Sequence, residues 1–127
     1  MAAEKNFENK VKKFLKDSGA WVLKYWGGAA YTKSGVPDLL VCLNGCFIGI
    51  ELKSPRGQPS DLQLYNLKEI DKSGGCAVLL YPKDFERFRN FVELVQQQNT
   101  SARDSAEYNY LKSIWSTILG NKIKGKE

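Results

Sequence analysis

A chain of 127 residues with 43% hydrophobic and 26% charged side chains fits one globular domain with its own core, and nothing in it suggests disorder. Its formal net charge of +5 suits a polyanionic partner without requiring one; no leader-like or long apolar run appears, so a cytoplasmic chain with no membrane association and reduced cysteines is expected. Histidine is absent, which excludes His-dependent triads, HNH-type nuclease chemistry and His-ligated metal centres for this chain acting alone, and leaves carboxylates and lysine.

From the N-terminus, Asn6 to Lys16 places Phe7, Val11, Phe14 and Leu15 on one helical stripe with lysines opposite, and Gly19 stops the helix. Glu8 falls at the edge of that stripe, where a carboxylate is costly unless something pairs with it. Glu4 lies nearer the stripe centre and is explained well as a helix-start acid favoured by the macrodipole. Ala20 to Trp26 alternates as a first strand, and the small, polar loop that follows runs from Gly27 to Val36. Lys24, Lys33 and Ser34 are candidate phosphate contacts, with Tyr31 available for stacking or a sugar contact; each taken singly also reads as ordinary surface.

Leu39 to Leu43 and Cys46 to Leu52 flank Asn44-Gly45, a strong hairpin signal that favours a two-residue type I′ turn. With Leu43 opposite Cys46, Cys42 faces Phe47, Leu40 faces Gly49 and Asp38 faces Glu51, while Lys53 shares the face of Glu51. One face is then wholly apolar. The other gathers Asp38, Glu51 and Lys53 at the end away from the turn and is expected to be open to solvent. Directly opposed carboxylates, with Cβ atoms about 4.5–5.5 Å apart, repel. A divalent cation resolves that conflict, and Mg²⁺ or Mn²⁺ with oxygen ligands and water suits the pair, leaving Lys53 to hold a phosphate or the attacking water. Singly, Asp38 reads as a strand cap and Glu51 and Lys53 as a solvated stripe; together they converge as a metal site must. Cys42 and Cys46 fall on opposite faces, so they cannot share a zinc ion and read as core cysteines.

After a Pro- and Gly-rich turn carrying Arg56, a further candidate phosphate contact, Asp61 to Lys72 forms a helix that Gly74-Gly75 ends. Ser60 and Gln63 make a capping box, and Tyr65 is assigned to the core. Cys76 to Tyr81 is an all-apolar strand expected to lie parallel to Cys46 to Lys53 through a right-handed crossover. Pro82 ends it, and Asp84 to Gln98 forms a helix with Phe85, Phe88, Phe91, Val92 and Val95 on one side. Residues 96 to 101 read as a linker, with Ser101 capping a further helix to Leu119 and a mobile basic tail beyond. That last helix carries Tyr108, Leu111, Ile114, Trp115, Ile118 and Leu119 as an apolar stripe. Three other helices already cover the sheet, so the stripe is expected at a homodimer interface, with fold-back within one subunit as the alternative.

Pro37-Asp38 followed by Glu51-Leu52-Lys53 resembles the PD-(D/E)XK nucleases, and the SG-V-PDLL lead-in, the short gap and Gln63 resemble the VRR-NUC branch, whose relatives include archaeal-type Holliday junction resolvases. The resemblance implies an α/β, restriction-endonuclease-like core over residues 1–95, a mixed four-stranded sheet with helices on both faces. Residues 96–127 then add a linker, an extra C-terminal helix and a basic tail to the same domain. It also implies a Mg²⁺-dependent DNA endonuclease that leaves 5′-phosphates, acting on duplex or branched DNA such as Holliday junctions in phage or bacterial DNA processing. Asp38, Glu51 and the backbone carbonyl of Leu52 would hold the metal, and Glu8, spaced from Gly19 as the family's helical glutamate is, would complete the cluster. Lys53 would orient water or phosphate, and Gln63 would face the site. The Q-x-x-x-Y pattern of some relatives is missing, since Leu67 stands where the tyrosine would be. A non-catalytic nucleic-acid-binding or assembly module on the same fold is the competing expectation.

Overall fold

The Asn44-Gly45 turn sets the sheet. Both residues hold positive φ, 50° and 80°, as a type I′ turn requires. In the computed structural model, which describes residues 2–27, 32–97 and 102–125, this turn joins β2 (Leu39–Leu43) to β3 (Cys46–Leu52) in the expected register, from Leu43 opposite Cys46 to Leu39 opposite Ile50. β1 (Trp21–Lys24) pairs antiparallel with β2, and β4 (Cys76–Leu80) pairs parallel with β3, giving the order β1-β2-β3-β4. The first strand is shorter than the expected Ala20 to Trp26.

The apolar face of the hairpin packs against α1 (Ala2–Asp17) and α3 (Phe85–Gln97), which a 3₁₀ turn over Pro82–Asp84 introduces one residue later than expected. Val11 and Leu15 of α1 meet Phe88, Phe91, Val92 and Val95 of α3 over Val41, Ile48 and Ile50, all fully buried. Phe14 sits edge-on to both Phe85 and Phe88, an arrangement that adds to simple burial.

The opposite face is covered by α2 (Asp61–Lys72) and α4 (Ala106–Gly125), with Leu64, Leu67, Ala77, Leu79 and Trp115 between them. A Cβ at Gly49 would lie 2.7 Å from Ile70 Cδ1 and 3.3 Å from Pro37 Cγ, so a larger residue there would displace the Ile70 side chain that α2 lays on β3. Tyr65, expected in the core, is 53% exposed, because Leu64, Leu67 and Ile70 form the inward side of α2 and turn it outward. The cover stops short of the sheet's other half: Trp21, Cys42 and Phe47 form one cross-strand row and all three are exposed, as is Leu23.

The C-terminal helix folds back within the chain. Tyr108, Leu111 and Trp115 are buried, so the stripe that motivated a dimer through this helix is consumed internally. The Tyr108 hydroxyl accepts from the Ala77 amide (2.8 Å) and donates to Asp71 (2.8 Å), while the Trp115 indole donates to the Ala77 carbonyl (2.9 Å). These buried bonds cannot be exchanged for water, which fixes the helix in place. It starts later than expected: Ser105, whose hydroxyl accepts from the Tyr108 amide, precedes Ala106, a 3₁₀ turn covers Ala102–Asp104, and Ser101 lies outside the described residues. It also runs on to Gly125, so much of the tail expected to be mobile is helical. Lys122 there pairs with Asp61 at the start of α2 (2.7 Å), and lysines in a last turn favour the helix dipole. Among the described residues no helix is long and apolar enough to cross a membrane.

Candidate active site

The parts of the site are brought together by the loop before β2 and by the ends of β1 and β3. Gly35 adopts φ +79° and sits so close to α2 that a Cβ would fall 2.6 Å from Leu62 Cγ, which anchors the approach to Pro37 and Asp38. The Asp38 carbonyl accepts from the Tyr25 amide (2.8 Å), and its carboxylate Oδ2 accepts from the Leu52 amide (2.9 Å). Asp38 thus lies one residue beyond the last ladder pair, tied by its side chain to the strand that carries Glu51.

A cleft of about 710 Å³ opens there, with Glu8, Lys24, Asp38, Glu51, Lys53 and Gln63 in its wall. The expectation that this face is open holds for the cleft but not for Glu51, which is only 2% exposed because it lies between neighbouring strands in mid-sheet. Its Oε1 has no hydrogen-bond partner, and its Oε2 lies 3.6 Å from the Lys53 ammonium. Burial, then the charge of Asp38, pushes its carboxyl up to about 8, with Lys53 pulling the other way.

Glu8 is in the opposite condition. Lys24 donates to its Oε1 at 2.7 Å, and the Lys12 and Lys5 ammonium groups stand 3.1 Å and 3.8 Å from its Oε2. Burial works to raise its pKa, but bonds and charge from Lys24 and Lys12 outweigh it and hold the carboxyl below the usual range. Lys24 also reaches to 3.8 Å from Asp38 Oδ1. An ammonium therefore stands between two of the three acids, and among the described residues no three of them converge tightly enough to hold a bare ion. The donor chemistry still fits Mg²⁺ or Mn²⁺: hard carboxylate oxygens, one of them buried and unpartnered, are what a divalent cation satisfies.

The remaining expected residues divide. Gln63 lines the cleft, yet its Oε1 accepts from the Ser60 amide (2.9 Å) in the capping box. Lys24 is engaged as an ion-pair partner of Glu8 and Asp38. Lys33, Ser34 and Arg56 are exposed outside the cleft wall, and Tyr31 lies outside the described residues. Sequence reasoning missed Lys5 and Lys12, although both stand at helical spacing from Glu8. It also missed Trp26, 70% exposed, whose ring centroid lies 5.8 Å from the Lys5 and 5.4 Å from the Lys24 ammonium.

An aspartate at the head of β2, a Glu-x-Lys on β3 and a glutamate from the first helix, set on a mixed four-stranded sheet, define a restriction-endonuclease-like protein of the PD-(D/E)XK type. A family model described as archaeal Holliday junction resolvase (Hjc) matches residues 2–100, and the chain belongs to that family. The match covers the sheet and α1 to α3, and α4 lies beyond it. A search of curated proteins finds no match.

Proposed function

We propose that this chain is a Mg²⁺- or Mn²⁺-dependent endonuclease that hydrolyses phosphodiester bonds in DNA, with branched DNA such as a Holliday junction as its substrate class. The observation that carries this reading is Glu51, a carboxylate buried with one oxygen unpartnered, beside Asp38 and 3.6 Å from Lys53. A protein with no use for that charge would gain by replacing it. Asp38, Glu51 and the Leu52 carbonyl would hold the metal, with Glu8 joining them as Lys24 withdraws. Bound there, the metal supplies Lewis-acid stabilisation of the phosphate and a water of lowered pKa.

The chain's own residues do the rest. Lys53, on the same strand face as Glu51, donates to a phosphate oxygen or to the attacking water. Gln63 supports the cleft wall. Lys24 once freed, Lys33, Ser34, Arg56 and Tyr31 are the proposed DNA contacts, and the exposed Trp26 ring offers a stacking surface beside the acids. A two-fold dimer would bring one site to each of two equivalent strands; with α4 occupied, the exposed row of Trp21, Cys42 and Phe47 with Leu23 supports it. Residues 96–127 belong to the same domain on this reading, since α4 bonds to both backbone groups of Ala77. The SG-V-PDLL lead-in supports a place near the VRR-NUC branch, and a bacterial or phage-infected cytoplasm is the proposed setting.

The test is incubation with a synthetic four-way junction and matched duplex in Mg²⁺, Mn²⁺ or EDTA. Metal-dependent cuts bearing 5′-phosphates are expected, with the junction preferred. Tight binding without cleavage in either metal would replace the enzyme with a non-catalytic binding module.

A further inference from the structure

The first residues of β3 and β4 are both cysteines, and their sulfurs lie 3.8 Å apart. They are not equivalent. Cys46 is partly exposed, whereas Cys76 is fully buried. Cys46 also precedes the first residue of β3 that pairs with β4, Ile48 opposite Cys76, so that ladder leaves its backbone unpaired with β4.

Arg103 stands at the same place. Its guanidinium donates to the Gly75 carbonyl and to Asp71, which fixes a positive charge at the start of β4. The hydrogen bond with Cys76 lowers the Cys46 thiol to about 7; burial opposes this and the Arg103 charge assists it. Cys76, giving that bond and buried, is pushed up. The proton therefore stays on Cys76 when Cys46 ionises. A partly exposed thiolate backed by a buried thiol in reach is the arrangement of an attacking and a resolving cysteine.

We propose that Cys46 and Cys76 form a modification site that reacts with small-molecule disulfides, of which oxidised glutathione is the probe, and ends as an internal Cys46–Cys76 bond. In the first step the Cys46 thiolate attacks one sulfur of the small disulfide, whose S–S bond breaks. One small thiolate leaves and takes up a proton, and Cys46 carries the other half as a mixed disulfide. In the second, Cys76 loses its proton to solvent and its sulfur attacks Cys46 Sγ, expelling the second small thiolate, which is protonated in turn. The small disulfide gains two electrons and two protons, and the two protein thiols lose the same. The sulfurs close from 3.8 Å to the bonded distance of about 2.05 Å, a movement of the start of β3, which is held by Leu43 of β2 on one side and is not paired with β4 on the other. Glu51 is five residues further along β3, about 17 Å at the usual rise per residue, so the new bond ties β3 to β4 without touching the acids.

The experiment treats the full chain with oxidised glutathione, alkylates the remaining thiols and maps them by mass spectrometry. Of the three cysteines, two should be lost to alkylation in a Cys46–Cys76 linked peptide, the whole chain should be lighter by two hydrogens, and Cys42 should remain alkylatable. Cys76→Ser should trap glutathione on Cys46, and Cys46→Ser should leave Cys76 unmodified, with folding of each variant checked by circular dichroism. Modification of Cys42 ahead of Cys46, or a stable adduct on Cys46 in the unsubstituted chain with no internal bond, overturns the proposal. Neither outcome bears on the nuclease reading.

Discussion

Two clusters of polar groups flank the sheet, one around the partly buried Asp71 and one around the buried Glu51, and they are built to opposite rules. Around Asp71, Tyr108 donates at 2.8 Å, Lys112 stands at 2.9 Å and Arg103 at 3.4 Å, and the other side of the Tyr108 hydroxyl takes the Ala77 amide. Burial works to raise the Asp71 carboxyl, but Lys112 and Tyr108 outweigh it and leave it below its usual range. Around Glu51 burial wins: one oxygen has no partner, and the carboxyl is pushed up. The first cluster is complete and holds α4 to the sheet. The second is incomplete: a buried carboxylate oxygen in a cleft is left for a further group to satisfy, as the proposed metal would.

Erasing each cluster in turn should separate the two rules. The largest effect is expected for Glu51→Gln: cleavage should fall by roughly 10²–10³-fold or more, the scale of removing one group that stabilises charge in the transition state. The same change should leave metal-free melting unchanged or higher, because it removes an acid that burial keeps from ionising, and melting followed with and without Mn²⁺ checks both halves. Retained turnover in a folded Glu51→Gln protein would take the chemistry away from this acid. Tyr108→Phe should do the reverse, costing about 1–3 kcal/mol in denaturant unfolding by stranding the Ala77 amide and one Asp71 bond, with the metal-induced rise in melting temperature kept.

A pH series sharpens the contrast further. An acid whose folded pKa lies above its unfolded value binds its proton more tightly in the folded state, so it penalises folding once the unfolded chain ionises. For Glu51, metal-free stability should therefore fall as pH rises from about 4.5 to about 8 and level off beyond, and Glu51→Gln should remove that slope. Asp71, lowered, has the opposite sign: its contribution is full above its unfolded pKa and is lost as pH falls through the folded value. Calorimetric melting in EDTA from about pH 2 to 9 reads both, Asp71 at the acid end and Glu51 above it. The smallest effect is expected for Lys24→Met, which should lower metal-free melting slightly and tighten Mn²⁺ binding several-fold, measured by titration calorimetry, since the competing ammonium is gone.

The hairpin was legible because a two-residue turn leaves one register, and that register carried Asp38, Glu51 and Lys53 to the same end of the sheet. The capping box at Ser60 and Gln63 was legible for the same reason: its partners are three residues apart. What the sequence concealed depends on contacts between distant segments. The stripe on α4 announces that something covers it but not which surface does, and a buried Tyr108 hydroxyl bonded to β4 has no sequence signal. Lys24 reads as a free cation until the fold sets it against Glu8, sixteen residues away. The burial of Glu51 follows from β4 lying beside β3, so an acid that looked solvated from its own hairpin is enclosed by the next strand.

The two bonds that α4 makes to Ala77 also settle how the sheet ends. β4 is an outer strand, and an outer strand offers unpaired amides and carbonyls to any extended chain that passes. On Ala77 both such groups are taken, the amide by the Tyr108 hydroxyl and the carbonyl by the Trp115 indole. Side chains thus stand at Ala77 where a fifth strand would dock, and among the described residues the short β1 rim is the other edge of the sheet. Without α4 the sheet would have two open rims, the geometry from which strand-by-strand polymerisation proceeds, and a chain cut before Ala102 should gather into large, light-scattering particles.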